Sequence, residues 1–509
     1  MIRVFNLRKV LIPLVILLII AIGLTGYYFI YKRSEKRIYN KQYEKVVKDC
    51  TYYDIYADFN PEEKFIDAVQ TVKYKNNTKT TLNELNFYLY PNAFKDENNT
   101  PFPGEEFIRA YPNGFDSGYL KINHIKVGEE KLDFRIDDIY LQVLFPDKGL
   151  KKGKELSLEI SFKVIIPNCM GRFGYGDKTF NICNWYPILA VYDENGWNLD
   201  PYYPIGDPFY SESAIYNVAI EVPNNFIIAS TGKVVEVLDK GDDKKIWCIE
   251  TELVRDFAWT ASDDYKVATT TVDDTVVSSY YFDEAGGKDA LKSATEAIKF
   301  YNKYFGKYPY DTFTVAAADF YIGGMEYPNL VLIDRTLYGG SYLEYIVVHE
   351  TAHQWWYGLV GNNQVKEGWL DEGLTEFSTM LFLEHKYGKE GKKAYDDLIK
   401  TKYLFFEMTN PTDYRVLKPL NEFESWHDYD ALAYARGAMV FGEIRDEVCD
   451  ELFRKVMNTY LRNFVFINAT TDDLIKLWEK ETKNLIDRSF FNKMLNIIPQ
   501  EENNNTEAA

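Results

Sequence analysis

Cysteine and histidine are the scarcest residues of this 509-residue sequence, with five of each. No two cysteines form a C-x-x-C pair, which argues against a zinc cluster built from thiolates. The odd cysteine count argues against a dense disulfide framework, and single buried thiols are the favoured interpretation. One bridge, between Cys169 and Cys183, stays open if the body of the protein lies outside the cell.

Basic charge is also in deficit, because 58 Lys and Arg against 77 Asp and Glu give a net charge of -19. Seven Lys or Arg and one Glu give the first forty residues +6, which leaves -25 for residues 41–509. Such an acidic surface repels nucleic acid and anionic lipid heads. We therefore expect no nucleic-acid partner.

One long uncharged run stands near the N-terminus, at residues 10–30. These 21 residues are enough for a helix across about 30 Å of hydrocarbon. A cleaved signal peptide is the alternative, but its apolar stretch is usually shorter and no A-x-A site follows here. Basic residues on both flanks leave the positive-inside rule undecided. We expect residues 1–40 to be a single-pass anchor and stalk at the cell membrane, with the catalytic body outside the cytoplasm.

The hydrophobic pattern predicts a multidomain α+β fold. Residues 41–272 should form a β-rich domain, with strands at residues 65–74, 85–90, 156–166, 216–222 and 265–272. Residues 273–498 should form a mainly α domain, with helices at residues 288–305, 341–357, 369–387 and 432–448 and a strand at 313–320. Residues 499–509 have the composition of a disordered tail.

The strongest chemical signal is the segment His349-Glu350-Thr351-Ala352-His353. Two histidines four residues apart share one face of a helix, so both imidazoles can bind one metal ion. The alternative, two unrelated histidines, would be an unusual coincidence in a chain with only five.

A third ligand is available in Glu372, after eighteen intervening residues that leave room for a turn and a second helix. Two histidines and one glutamate fit zinc better than magnesium, so we predict one zinc ion per chain. Glu350 should act as general base toward a water activated by zinc. Glu376 is either a support for a ligand or a solvated carboxylate.

The chain resembles the gluzincin aminopeptidases, the family of aminopeptidase N and leukotriene hydrolase. The resemblance spans about residues 51–495. It rests on three segments in the expected order, namely Gly323-Gly324-Met325-Glu326, the pair His349 and His353 followed by Glu372, and Tyr434-Ala435-Arg436-Gly437-Ala438.

The resemblance implies roles for residues outside the metal ligands. Glu326 would bind the α-ammonium of an oligopeptide with a free N-terminus, beside a substrate backbone that runs along Gly323, Gly324 and Met325. Tyr434 would donate a hydrogen bond to the oxyanion. The strand at residues 313–320 should present its edge to the extended substrate.

The resemblance also implies a thermolysin-like catalytic domain at residues 273–498. Tyr327 stands where the family motif has Asn, and Arg436 replaces Lys. We expect a short form without the family's large helical C-terminal domain, and hence a more open cleft.

The preferred hypothesis is a zinc aminopeptidase that removes N-terminal residues from oligopeptides. A thermolysin-type zinc endopeptidase is the first alternative, and Glu326 argues against it because an endopeptidase does not bind an α-ammonium. A metal-free surface binding protein on the same fold is the second. Such a protein would not require Glu350 or Tyr434.

Overall fold

The computed structural model describes residues 39–145 and 149–497. The predicted anchor at residues 10–30 and the predicted tail at residues 499–509 lie outside these ranges. Among the helices that the structure describes, none is both long and apolar enough to cross a bilayer.

The first half of the described chain consists mainly of strands. Their side chains alternate between buried and half-buried, as a sheet with one covered face requires. Two short helices, α1 (Asn40–Val47) and α2 (Glu105–Ala110), accompany them. The strands are β1 (Tyr52–Asn60), β2 (Phe65–Lys75), β3 (Glu84–Tyr88), β4 (Tyr119–Val127), β5 (Glu130–Lys131), β6 (Phe134–Asp137), β7 (Tyr140–Leu144), β8 (Glu155–Ile165), β9 (Phe173–Tyr175), β10 (Phe180–Ile182), β11 (Ile188–Leu189), β12 (Tyr192–Asp193), β13 (Gly196–Trp197), β14 (Ile215–Pro223), β15 (Ile227–Ser230), β16 (Lys233–Gly241), β17 (Lys244–Glu250) and β18 (Trp259–Ser262).

Eight of these strands form one sheet in the order β16-β17-β14-β1-β2-β8-β4-β5. All neighbours in it are antiparallel except β1 and β14. Two four-stranded sheets, β15-β18-β10-β9 and β11-β3-β7-β6, complete most of this half.

The second half contains most of the helices and a small mixed sheet. Its order is β19-β20-β21-β23-β22, in which β21 pairs in parallel with both β20 and β23. The elements of this half are β19 (Lys266–Val272), β20 (Thr275–Tyr281), α3 (Glu284–Tyr304), β21 (Thr312–Ala318), β22 (Gly324–Met325), β23 (Leu330–Asp334), α4 (Leu343–Ala352), β24 (Val360–Gly361), α5 (Gln364–Glu367), α6 (Trp369–Tyr387), α7 (Lys389–Met408), α8 (Trp426–Tyr429), α9 (Gly437–Val448), α10 (Asp450–Phe464), β25 (Ile467–Asn468), α11 (Thr471–Thr482) and α12 (Arg488–Met494).

The predicted α+β class, with a β-rich part followed by a helical part, is confirmed. The predicted domain boundary between residues 272 and 273 falls inside the hairpin of β19 and β20, so the five-stranded sheet takes in seven residues from before it. The division into domains stays a prediction.

Two local predictions need correction, and one open question is answered. The helix predicted at residues 341–357 ends at Ala352, because the chain reverses through Tyr357, which has a φ of 122°. The helix predicted at 432–448 begins instead with a π-helical segment, Asp430–Arg436, that continues into α9. The open question of a Cys169–Cys183 bridge is answered, because all five cysteines are free thiols.

A buried arginine joins the two halves behind the site. The Arg255 guanidinium, from the loop before β18, donates hydrogen bonds to the carbonyls of Tyr357 and Ile467, the latter at 2.8 Å. A side chain at Gly361 would overlap this guanidinium, which explains the glycine there. The turn that follows His353 is therefore held against the β-rich half.

Candidate metal centre and substrate cleft

The three predicted ligands converge. His349 lies in the last turn of α4, His353 follows its end, and Glu372 lies in the first turn of α6. Glu372 Oε2 is 3.2 Å from His353 Nε2 and 3.6 Å from His349 Nε2. All three residues are buried, and their ligand atoms lie within 4.8 Å of one another. Glu372 Oε2 is buried and accepts no hydrogen bond from any described residue, as expected for an oxygen that binds a cation. The donor set fits zinc.

Both imidazoles are oriented by a second hydrogen bond. His349 Nδ1 donates to Glu376 Oε2 at 2.9 Å, and Tyr345 donates to Glu376 Oε1 at 2.6 Å. His353 Nδ1 donates to the Trp356 carbonyl at 3.1 Å. These bonds leave Nε2 of each histidine for the metal. Glu376 is therefore a buried support for His349, and the alternative of a solvated carboxylate is wrong.

Glu350 lies between the histidines but makes a different contact. Its carboxylate lies against the backbone of Gly324, where an added Cβ would overlap it. Burial raises the pKa of Glu350 to about 8, with Glu326 among the smaller contributions. A carboxyl with this pKa can accept and release a proton near neutral pH.

Tyr434 reaches the ligands because two helices meet at glycines. A Cβ on Gly373 of α6 would come within 2.8 Å of the Gly437 backbone at the start of α9. This close approach lets the Tyr434 hydroxyl donate to Glu372 Oε1 at 2.6 Å. The tyrosine ring also stacks on His349 at 5.9 Å between centroids.

Glu326 directly follows β22, which is the edge strand of the five-stranded sheet. The strand at residues 313–320 was predicted to supply this edge. That prediction is wrong, because β21 is enclosed by β20 and β23. Gly323, with a φ of 107°, and Gly324 carry the chain into the edge. Glu326 is buried, and burial together with the nearby Asp207 raises its pKa to about 7.

A hydrogen-bonded chain of four side chains runs from Glu326 through Gln364 and Asp371 to Asn362, and the sequence did not predict it. Gln364 Nε2 donates to Glu326 Oε1 at 3.2 Å and to Asp371 Oδ2 at 2.8 Å. Asn362 Nδ2 donates to Asp371 Oδ1, also at 2.8 Å. In the sequence, the position of Asp371 next to Glu372 is the feature that could have indicated this hydrogen-bonded chain.

The β-rich half contributes a buried ion pair, Arg172 with Asp207. Arg172 Nε lies 3.2 Å from Met325 Sδ, so the pair adjoins the edge strand. No motif marked either residue in the sequence.

Tyr327 and Arg436, the two residues that differ from the family motif, both contact other residues of the folded protein. Tyr327 is completely buried, and its hydroxyl donates to Asn184 of the β-rich half at 3.3 Å. Arg436 contacts Glu443 and Met494 within the helical part.

Comparisons with known proteins agree with this geometry. Residues 289–494 match the model of the Peptidase family M1 domain. Aminopeptidase M1-A of Oryza sativa subsp. japonica is 27% identical over 286 residues, which is 52% of this chain and 32% of the relative. Endoplasmic reticulum aminopeptidase 2 of Bos taurus is 28% identical over 215 residues, which is 39% of this chain and 22% of the relative. The chain thus spans about a third or less of the length of these relatives.

The fold has a close counterpart among solved structures. An M1 zinc metallopeptidase from Deinococcus radiodurans superposes with a TM-score of 0.64 at 16% identity, over 89% of this chain and 95% of that one. Zinc, the cofactor predicted from the two histidines and Glu372, fits the observed cluster, and the Deinococcus radiodurans neighbour is itself named a zinc metallopeptidase. The predicted resemblance is confirmed, because residues 289–494 match the Peptidase family M1 domain and the relatives described above are named aminopeptidases.

Proposed function

We propose that this protein is a zinc aminopeptidase that hydrolyses the first peptide bond of oligopeptides. The observation that carries the proposal is the buried carboxylate of Glu326 at an edge strand beside the zinc ligands. This carboxylate fixes the position of the substrate peptide along the cleft, because a substrate whose α-ammonium is bound there brings its first carbonyl toward the zinc ligands. The relatives named aminopeptidases and a Deinococcus radiodurans enzyme bound to Tyr-Ser-Ala support this reading.

The residues around the ligands have complementary tasks. Bound zinc supplies Lewis acidity and activates water for attack at neutral pH. Glu350 accepts a proton from that water and passes it to the leaving amine. The hydroxyl of Tyr434, which donates to Glu372 at 2.6 Å, transfers its hydrogen bond to the oxyanion when the tetrahedral intermediate forms.

Two other functions differ in what they require of these residues. An endopeptidase of the thermolysin type needs the zinc ligands and Glu350 but no ammonium anchor. A metal-free binding protein needs neither Glu350 nor the hydroxyl of Tyr434. The combination of Glu326, Glu350 and Tyr434 around one ligand cluster favours the aminopeptidase.

A pair of matched substrates tests the proposal. Purified protein is assayed on free aminoacyl anilides and on the same anilides after N-acetylation, with and without a chelator. We expect cleavage of the free series alone, and loss of that cleavage with the chelator. The variant Glu326→Gln should raise KM and lower kcat for the free series, because binding energy used for positioning is lost. Equal cleavage of both series would favour the endopeptidase.

We propose further that residues 10–30 anchor the protein in the cell membrane with its catalytic body outside the cytoplasm. The support for the anchor is the uncharged 21-residue run with basic residues on both sides of it. The orientation is proposed because a peptidase outside the cytoplasm would meet external peptides. Protease added to intact cells should digest the body. Complete protection of the body from protease would show that the orientation is reversed or that the protein lies inside the cell.

A further inference from the structure

A basic surface pocket lies apart from the catalytic cleft. Its volume is about 720 Å³, and it opens between the end of α3 and the outer face of α10. Four exposed cations line it, namely Lys303, Arg454, Lys455 and Arg462, against one acidic residue, Glu451. None of the zinc ligands or cleft residues contributes to this pocket.

The cations of this pocket are largely unpaired, in contrast to others in the same acidic body. Lys386, for example, contacts two carboxylates, Glu296 and Glu344. Lys455 contacts Glu481 at 3.3 Å, but the other three pocket cations make no ion pair with any carboxylate of the described ranges. Unpaired, exposed cations gathered in one concave surface attract an anion.

The chain enters the described structure at the edge of this pocket. The hydroxyl of Tyr39 donates to the carbonyl of Lys307 at 3.1 Å, and its ring lies 6.4 Å from that of Phe466. Lys303 lies in the last turn of α3, and a Cβ added to Gly306 would lie 2.9 Å from the Tyr39 hydroxyl and 4.0 Å from Asn458 Oδ1, which lines the pocket. Tyr39, the first residue that the structure describes, therefore lies beside the basic pocket.

The length of that preceding segment limits where the body can lie. Residue 30, the last residue of the predicted span, lies nine positions before Tyr39. Nine residues span at most about 30 Å when fully extended. If residues 10–30 cross a bilayer, as proposed above, the pocket is held within about that distance of the lipid headgroups. Four more cations, at positions 32, 33, 36 and 37, lie in the connecting segment.

We propose that the pocket is a docking surface for the phosphate headgroups of anionic lipids. The pocket supplies local positive charge in a body of net charge -25 that anionic lipid would otherwise repel. Docking orients the catalytic body on the membrane rather than leaving it free on its stalk. The inference rests on the proposed anchor and is independent of the proposed peptidase activity.

The natural Cys449 thiol offers a probe, because it is exposed and lines the pocket, whereas the other cysteines are buried or half-buried. The full chain, with Cys50→Ala, is labelled there with a fluorophore and reconstituted into vesicles that contain nitroxide-headgroup lipid. One vesicle preparation is phosphatidylcholine alone and the other includes phosphatidylglycerol. We expect stronger quenching in the anionic vesicles, and its loss at high salt, because screening shortens the reach of the charges.

Two double variants distinguish the pocket from general charge. Arg454→Gln with Arg462→Gln should lower the docking equilibrium at least about fivefold, since each cation near an anionic surface contributes about that factor. Lys151→Gln with Lys152→Gln removes two exposed cations beside β8 and should change nothing. Hydrolysis of a small soluble substrate should be unchanged in both variants.

Three outcomes would overturn the inference. They are equal quenching in neutral and anionic vesicles, quenching that responds to inorganic phosphate but not to lipid charge, and extraction of the full chain from vesicles by alkaline carbonate. Extraction by carbonate would show that the chain has no membrane anchor, on which the inference rests. It would not change the result of the peptidase assay.

Discussion

The two sides of the cleft are built differently. On the zinc side, the ligands come from α4 and α6, and the hydrogen bonds that orient the imidazoles come from the same helical part. On the ammonium side, Glu326 depends on Gln364 and adjoins Arg172 and Asp207 of the β-rich half. The zinc side is therefore built from residues of the helical part alone, whereas the ammonium side is built from residues of both halves of the molecule.

This difference affects what a mutation should do. A mutation on the zinc side should reduce zinc binding or the rate of hydrolysis, while the bound substrate keeps its alignment in the cleft. A change on the ammonium side should leave zinc in place and alter how substrates are bound and aligned. The following experiments test that separation, from the largest expected effect to the smallest.

Loss of a zinc ligand should have the largest effect. His353→Ala removes one of three protein ligands, so we expect zinc and activity to be lost together. Metal content by mass spectrometry and hydrolysis of a free aminoacyl anilide are the measurements. His385→Ala, on the exposed side of α6, is the matched control and should retain both. Full activity in a preparation free of metal would refute the zinc assignment.

Removal of the general base should separate metal binding from chemistry. Glu350→Gln keeps the size of the side chain, so we expect zinc to be retained while kcat falls by at least about 10²-fold. Steady-state kinetics and metal analysis of the same sample provide the test. Near-normal turnover with zinc bound would exclude Glu350 as the base.

Removal of the support behind His349 should weaken zinc binding without abolishing it. Glu376→Gln loses the charged acceptor of the 2.9 Å bond from His349, so metal affinity should fall by about 10–100-fold. Competition with a chelator measures this affinity. Added zinc should restore most of the activity, and activity that stays low at saturating zinc would assign Glu376 a role beyond support.

Disruption of the hydrogen-bonded chain should have the smallest effect and should spare zinc. Gln364→Leu removes the amide shared by Glu326 and Asp371, so KM for free aminoacyl substrates should rise about tenfold with little change in kcat. Asn362→Ala removes hydrogen bonds to Asp371 and to the Glu367 carbonyl but none to Glu326, so it is the matched control, with a smaller expected change. Loss of zinc from Gln364→Leu would show that the two sides are not separate.

The same difference explains what could be predicted from the sequence. The zinc side is encoded in a pentapeptide and one glutamate, and the bounds predicted for the second helix coincide with those of α6, Trp369–Tyr387. Helical periodicity and ligand spacing are short-range signals, and a single sequence displays them directly.

The ammonium side depends on contacts that a sequence does not display. Arg172 and Met325 are 153 residues apart, and no periodic pattern connects them. The edge strand was misassigned because β23, which follows β22 in sequence, inserts between β21 and β22 in space. Sheet order is a property of the whole fold, so local pattern could not determine it.

The π-helical segment that carries Tyr434 has one further consequence. α8, this segment and α9 form one continuous helix from Trp426 to Val448, in which the wide turn accommodates an extra residue. Deletion of Ala433 would restore regular α-helical turns and keep the flanking residues in register, but would turn Tyr434 away from Glu372. We therefore expect the deletion to raise the melting temperature and lower kcat, so that in this helix the protein has exchanged thermal stability for the position of one hydroxyl group.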